Sequence, residues 1–524
     1  MALAEALLAL IVACIGFALV ARRFRVPYAV VLVMGGMILA FIPGLPRLEL
    51  EPEFALAFFL PPLLQASAWR TDWPAFRANL RIILLLALGA VLFTAACVAV
   101  TAKWLVPELP WAAAVALGAI VAPPDAVAAA SVLGRLRIPR RIVTVLEGES
   151  LINDASSLVL YRLALGALAA GGLSLGTAGL SLLLVAAGST AVGWLIGRAT
   201  VWLMPRLEDE QLETALSLLV SFAIYGVAEA LHGSGVLAVV AGAFVMTRHR
   251  HTIMDAATRL QSQAVWDFVE FVLTSLVFVL VGLQLNGIVE RLHGYGWWEL
   301  AKLALAVSGT MILARFAWVF ATSSLPWLVP PLEEGERRVR WGGMTVVAWA
   351  GMRGVVSLAA ALALPLDVPA RDLMIFLAFC AILATLVIQG TTLEWLIRRL
   401  GVARAEKAGM PPHEAQARRL VAKAALGELE SRADSPIDGA IARDLIPEYR
   451  GISRVFDGVA SGASRAEYTA RLQLRLAALR AGRDRLLQHL DQDGLPEETL
   501  AALSVEMDHE EFRLQRLLAA DRAG

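Results

Sequence analysis

The chain is 524 residues long, 58% hydrophobic and only 18% charged, with a mean hydropathy of +0.66, which excludes an ordinary soluble domain. Lysine plus arginine and aspartate plus glutamate balance at 46 each, so net charge points to no nucleic acid or other charged macromolecule as a partner. Apolar runs recur from the N-terminus to about residue 400, many near the roughly 20 residues a spanning helix needs, so the expected fold is an all-α membrane protein.

Hydropathy predicts thirteen membrane helices: Ala6–Ala21, Val26–Ile42, Phe54–Ala68, Ile82–Ala102, Trp111–Leu133, Ile142–Ala170, Thr177–Met204, Leu212–Leu231, Gly235–Met246, Ala264–Leu285, Trp297–Thr322, Trp341–Leu364 and Leu373–Ile397. The first is read as a retained helix rather than a leader, because Glu5 precedes it and its basic cluster follows it. The ninth is short, and reads as a tilted or broken element or as part of the eighth. Cys14, Cys97 and Cys380 lie in apolar runs without metal-ligand spacing, and read as small buried residues.

Alternate loops are basic: Arg22, Arg23 and Arg25; Arg70, Arg77 and Arg81; Arg135, Arg137, Arg140 and Arg141; Arg198 and Arg206; Arg248, Arg250 and Arg259; Arg337, Arg338 and Arg340. The intervening loops hold little beyond Arg47, Lys103, Arg291 and Arg371. The positive-inside rule therefore puts the N-terminus outside and everything after the last helix in the cytoplasm. The expected organisation is a transmembrane domain over 1–400 and a soluble helical tail over 401–524. In the tail, Ser464–Glu467 fits a capping box, the stripe Leu472, Leu476, Leu479, Leu486, Leu490 follows helical spacing, and Gly494 and Pro496 punctuate it. Core packing is the expected role of that stripe, and dimer contact or regulation that of the tail.

The chemistry concentrates in Leu146–Tyr161, LEGESLINDASSLVLY, where Glu147, Glu149, Ser150, Asn153 and Asp154 interrupt an apolar run. Polar and acidic groups at membrane depth face a partner or a wet cavity. Ser150 and Asp154 are i, i+4, as are Glu149 and Asn153, so oxygen ligands share one flank of a helix. Asp154 is the primary candidate to hold either a proton or a hard monovalent cation, with Ser150 as a further oxygen ligand. Asn153 does not titrate; it orients Asp154 or holds a broken helix nearby. Val121–Asp125, VAPPD, carries two prolines that should break its helix. Broken helices at this depth line cavities and bind ions with free carbonyls and dipole ends, and Asp125 sits at the break. Arg315 and Arg353 lie deep in late apolar segments, Arg353 in a second flexible stretch, GMRG. Each needs an acid, with Glu149 and Asp125 the candidates. A break with charged residues in each half is what an inverted repeat produces. Glu229 and His232 (i, i+3) read as a polar contact on one face near a helix end, with Asp267 and Glu270 also secondary. The sequence has no nucleotide loop, zinc signature or serine nucleophile elbow, so it is not read as an enzyme and no cofactor is expected.

These segments resemble the monovalent cation/proton antiporters of the NhaP and eukaryotic sodium/proton exchanger group. The similarity is carried by EGESLINDA (Glu147–Ala155), APPDAVA (Ala122–Ala128), the motifs of Leu212–Met246, VGLQL (Val281–Leu285) and GMRGVVSLAAALALP (Gly351–Pro365), and covers essentially residues 1–400. It implies a homodimer in the inner membrane, with inverted repeats and two broken, crossing helices. It implies Asp154 as the carrier of sodium or proton with Ser150 as ligand, and pairs Glu149–Arg315 and Asp125–Arg353. The Asn-Asp pair is associated with electroneutral one-for-one exchange. Where the family has a threonine and a proline, this chain has Pro124 and Ala126, so Pro124 can offer only its carbonyl, which bears on the choice among sodium, lithium and potassium. Potassium/proton exchange, a cation channel and an ion-translocating subunit of a larger complex are the alternative readings.

Overall fold

The computed structural model describes residues 2–24, 26–42, 52–134, 136, 138–169, 175–292, 296–323, 334–403, 412–435, 438–456, 462–493 and 497–522. Arg25, Arg47, Arg135, Arg137, Gly494 and Pro496 lie outside them. The described residues form helices and no strand. They divide into two compact units, Met1–Arg404 and Ala405–Gly524.

In the first unit every segment expected from the hydropathy falls on helix. Among the described residues, seven helices are long and apolar enough to cross a membrane, and Tyr28–Ala40 and Trp111–Val121 are apolar but shorter. The ninth segment is not a fragment: Gly235–Ile253 is one helix of 19 residues, capped by the Ser234 hydroxyl, which accepts from the backbone of Leu237. Its apolar part ends early because the last turns carry Arg248 and Arg250, which hydropathy had assigned to a loop.

Two further departures follow from local chemistry. Leu80–Leu105 is continuous, but Leu85–Ala90 winds as a π-helix, which leaves carbonyls free for outside donors. Ser156 donates to the Ala87 carbonyl at 2.7 Å and the Trp318 indole to that of Leu85 at 2.9 Å. Helix Glu210–Ala230 stops before His232, which adopts a left-handed conformation with φ 57°. His232 is therefore in a turn and does not share a helical face with Glu229.

Glycine sets one of the closest packings. Helices Tyr28–Ala40 and Ala256–Glu290 meet backbone to backbone at Gly36 and Gly282, where a Cβ would lie 2.2 Å from the carbonyls of Val279 and Val33 respectively. Small residues at such crossings let helices associate without a hydrophobic driving force.

In the second unit, helices Gly462–Asp493 and Glu497–Arg522 pair around Leu472, Leu514 and Leu518, with Tyr468, Leu476 and Leu479 against them. The first of these helices begins at Gly462, so Ser464 lies inside its first turn rather than at the cap. Arg483 donates to Glu511 at 2.6 Å and Asp508 at 2.5 Å, and Arg480 to Glu511 at 3.1 Å.

Candidate ion-binding site

Two helices of the first unit are interrupted. Trp111–Val121 gives way to Ala122–Asp125 and resumes as Ala126–Leu133, and Glu334–Trp349 gives way to 350–354 and resumes as Val355–Leu362. The two interruptions touch: the backbone N–H of Asp125 donates to the Met352 carbonyl at 2.6 Å.

Arg353 is fully buried at this crossing. Its Nε donates to the Val121 carbonyl at 2.8 Å, its Nη2 to that of Ala122 at 3.1 Å, and its Nη1 to that of Gly351. The last carbonyls of a helix have no internal partner and carry a partial negative charge, and the guanidinium satisfies them. The expected Asp125–Arg353 ion pair is not formed. Asp125 instead caps the next half-helix, accepting the Val127 N–H at 2.8 Å. Its carboxylate packs against Gly354, where a Cβ would lie 1.8 Å from Oδ2. Thr385, on the following helix, anchors the second break by accepting the Arg353 backbone N–H at 3.0 Å.

Helix Arg140–Ala169 runs against this crossing. Buried Asn153 donates to the Pro124 carbonyl at 2.9 Å, so it holds the break; a carbonyl has a second lone pair to offer. One turn earlier, Glu149 (1% exposed) and Arg315 (2%) form a two-pronged pair at 2.5 and 2.9 Å. Arg315 also donates to the Val347 carbonyl at 3.1 Å, just before the second break.

Asp154 has no such partner. Among the described residues its carboxylate makes no hydrogen bond or ion pair, and it lines a cavity of about 60 Å³ together with Asp125, Ser150, Ser67, Thr274 and Phe278. That volume has room for a few water molecules. Most of the lining is apolar, including Phe59, Leu60 and Val355, so the few oxygens are the groups able to meet a small cation. The structure thus gathers Asp125, Ser150 and Asp154 on one cavity. It keeps Glu149, Arg315 and Arg353 behind them as a brace, and Asn153 and Pro124 as the clip between helix and break.

Sequence reasoning missed Ser67, Thr274 and Thr385. The signal was present only as hydroxyls inside apolar runs, as in FVLTSLVFVL. Of the secondary acids, Glu229 accepts with both carboxylate oxygens from Nη2 of Arg162, each at 2.9 Å, and Glu270 pairs with Arg70.

Helices crossing at facing interruptions, with a buried acid beside the crossing, define a class of membrane carriers that handle ions within the bilayer. The transmembrane sodium/hydrogen exchanger family profile matches residues 7–399. The chain is 36% identical to an uncharacterized Na+/H+ exchanger of Mycobacterium tuberculosis over 97% of this chain and 95% of that one. It is 31% identical to an uncharacterized Na+/H+ exchanger of Escherichia coli over 96% of each. A sodium, potassium, lithium and rubidium/H+ antiporter of Bacillus subtilis is 32% identical over 71% of this chain and 58% of that one. The structure of the sodium proton antiporter MjNhaP1 of Methanocaldococcus jannaschii superposes with a TM-score of 0.60 at 18% identity, covering 77% of this chain and 100% of that one. The chain belongs to the sodium/hydrogen exchanger family. It is a multi-pass membrane protein with the NhaP antiporter fold.

Proposed function

We propose that this protein is a secondary active antiporter that exchanges sodium for protons one for one at Asp154. The observation that carries the reading is the isolation of that carboxylate. Glu149 is matched by Arg315, whereas Asp154 faces a small, mostly apolar cavity that also takes in Asp125, Ser150, Ser67 and Thr274, without a basic partner. A proton and a cation then compete for one group, and alternating access exposes whichever is bound to the opposite side. Thirteen crossings with the N-terminus outside and the 405–524 unit in the cytoplasm fit the alternation of basic loops, and we assign the protein to the inner membrane as a homodimer with a regulatory tail.

The test is dissipation of a pH gradient in proteoliposomes on addition of sodium, lithium or potassium separately, with Asp154→Asn as the control and the membrane potential clamped at two values. Sodium-driven dissipation that disappears in the variant and does not change with potential is the expected result. Wild-type rates in Asp154→Asn overturn the assignment of the carrier. Current without a coupled counter-ion makes the protein a channel. Potassium has a specific claim as substrate, because the Bacillus relatives carry sodium, potassium, lithium and rubidium in their names. Dissipation by potassium alone keeps the mechanism and changes the ion.

A further inference from the structure

The lining of the cavity includes a hydroxyl with no partner, on a helix that carries none of the cavity's acids. Thr274 is 6% exposed, lines the Asp154 cavity, and its Oγ1 makes no hydrogen bond. That is unusual for a threonine within a helix, where the hydroxyl falls back on the carbonyl four residues earlier. Thr101 does so at 3.0 Å, Thr200 at 2.9 Å, Thr322 at 2.7 Å and Thr345 at 2.9 Å, and so does the adjacent Ser275, to Phe271 at 2.5 Å. Thr274 forgoes this bond. A buried hydroxyl left unsatisfied is unfavourable unless something that enters the cavity takes it up. It reaches the cavity from helix Ala256–Glu290, which packs along Tyr28–Ala40 and carries none of the acids.

We infer that Thr274 is a cation ligand that completes the coordination shell from a different helix than Asp154, and that it sets cation preference without touching the proton. The inference rests on the antiport reading at Asp154. The hydroxyl is neutral and does not titrate in the working range, so it cannot alter the stoichiometry. Its oxygen can replace one water of the cation's hydration shell, and it gives nothing comparable to a proton already bonded to a carboxylate. Affinity for the cation then depends on Thr274 while competition by protons does not. Because the ligand sits on a different helix from Asp154, it engages only while the two walls stand together, so it favours the filled, closed cavity.

The experiment measures initial exchange rates in proteoliposomes against sodium, lithium and potassium concentration, for the wild type, Thr274→Val, Thr274→Ala and Thr274→Ser. Loss of one neutral oxygen ligand is expected to raise the half-saturating sodium concentration about fivefold in the Val and Ala variants and to change the ranking of the three cations. The maximal rate should stay put, as should the pH of half-inhibition when sodium is set at the same multiple of each variant's half-saturating concentration, and Thr274→Ser should restore wild-type half-saturation. Unchanged half-saturation and ranking in both truncations overturns the assignment while leaving Asp154 in place. So does a Ser variant as impaired as the Val variant, which would make the residue a packing element. A wild type that exchanges no cation overturns the antiport reading and this inference with it.

Discussion

Removing either member of the Glu149–Arg315 pair should cripple the protein, and removing both should do less harm. Both side chains are essentially inaccessible to solvent and share two hydrogen bonds. The loss of one partner from such a pair costs about 3–5 kcal/mol, because the other is left charged, buried and unpaired. That equals roughly two to four powers of ten in the folded population. The pair also fixes positions: through Val347 it ties helix Arg140–Ala169, helix Trp297–Ser323 and the approach to the second break together. Glu149→Leu and Arg315→Met should each lower thermal stability in detergent and reduce the folded yield. The double variant removes both charges for apolar side chains of similar size, and such replacements are often neutral. It should therefore recover most of the stability. The assay is the melting temperature of purified wild type, both singles and the double, read as a double-mutant cycle. A double variant no more stable than the worse single would refute the reasoning, since it would mean that each residue contributes through packing rather than through its charge.

Two further outcomes follow from the geometry. Gly354 has a negative φ of −136°, so no left-handed conformation stands against a side chain, and Gly354→Ala fails chiefly through contact with the Asp125 carboxylate. The overpacking should cost about 1–3 kcal/mol and displace Asp125 from the Val127 N–H; a variant with wild-type melting temperature and exchange rate would show that the crossing has room to spare. In the tail, hydrogen bonding to Arg480 holds the Glu511 carboxyl below its ordinary value of 4.5. A depressed folded value stabilises the hairpin above the unfolded value, and that contribution fades as pH falls through the folded one. Hydrogen exchange in 462–522, corrected for intrinsic rate, should therefore accelerate below about pH 4.5 in the wild type and show less of this pH dependence in Glu511→Gln.

The helices were legible because membrane burial writes itself into composition, and the acidic stretch was legible because polar groups there need a reason. Residue type without a partner in view is a weaker guide. The two prolines do break the helix at Pro123–Pro124, yet proline alone does not decide it, since Pro61 and Pro62 lie inside the continuous helix Pro52–Arg70. The difference lies in the neighbours, since Asp125 caps the next half-helix and Asn153 and Arg353 take the carbonyls around the first break. Arg353 was assigned an acid because a buried guanidinium requires acceptors, but five donors in a fork can be satisfied by carbonyls. The unpaired hydroxyl of Thr274 was invisible, because sequence does not say which threonines make their usual backbone bond.

The charge arrangement gives the proposed stoichiometry its physical basis. Arg353 faces the carbonyl end of one half-helix, where the dipole is negative, and Asp125 faces the amide end of the next, where it is positive. Glu149 and Arg315 neutralise each other. Each of these charges has a fixed counterpart within the protein, so none needs an ion to be tolerated at this depth. Asp154 has neither a helix end nor a basic side chain, and moving it uncompensated past an apolar wall is expensive. It becomes mobile only when something of charge +1 neutralises it. On the proposed reading a proton and a sodium ion each meet that condition, one at a time on the single carboxylate. On that reading the loaded carrier would have the same charge in both directions, and exchange would be one-for-one and insensitive to membrane potential.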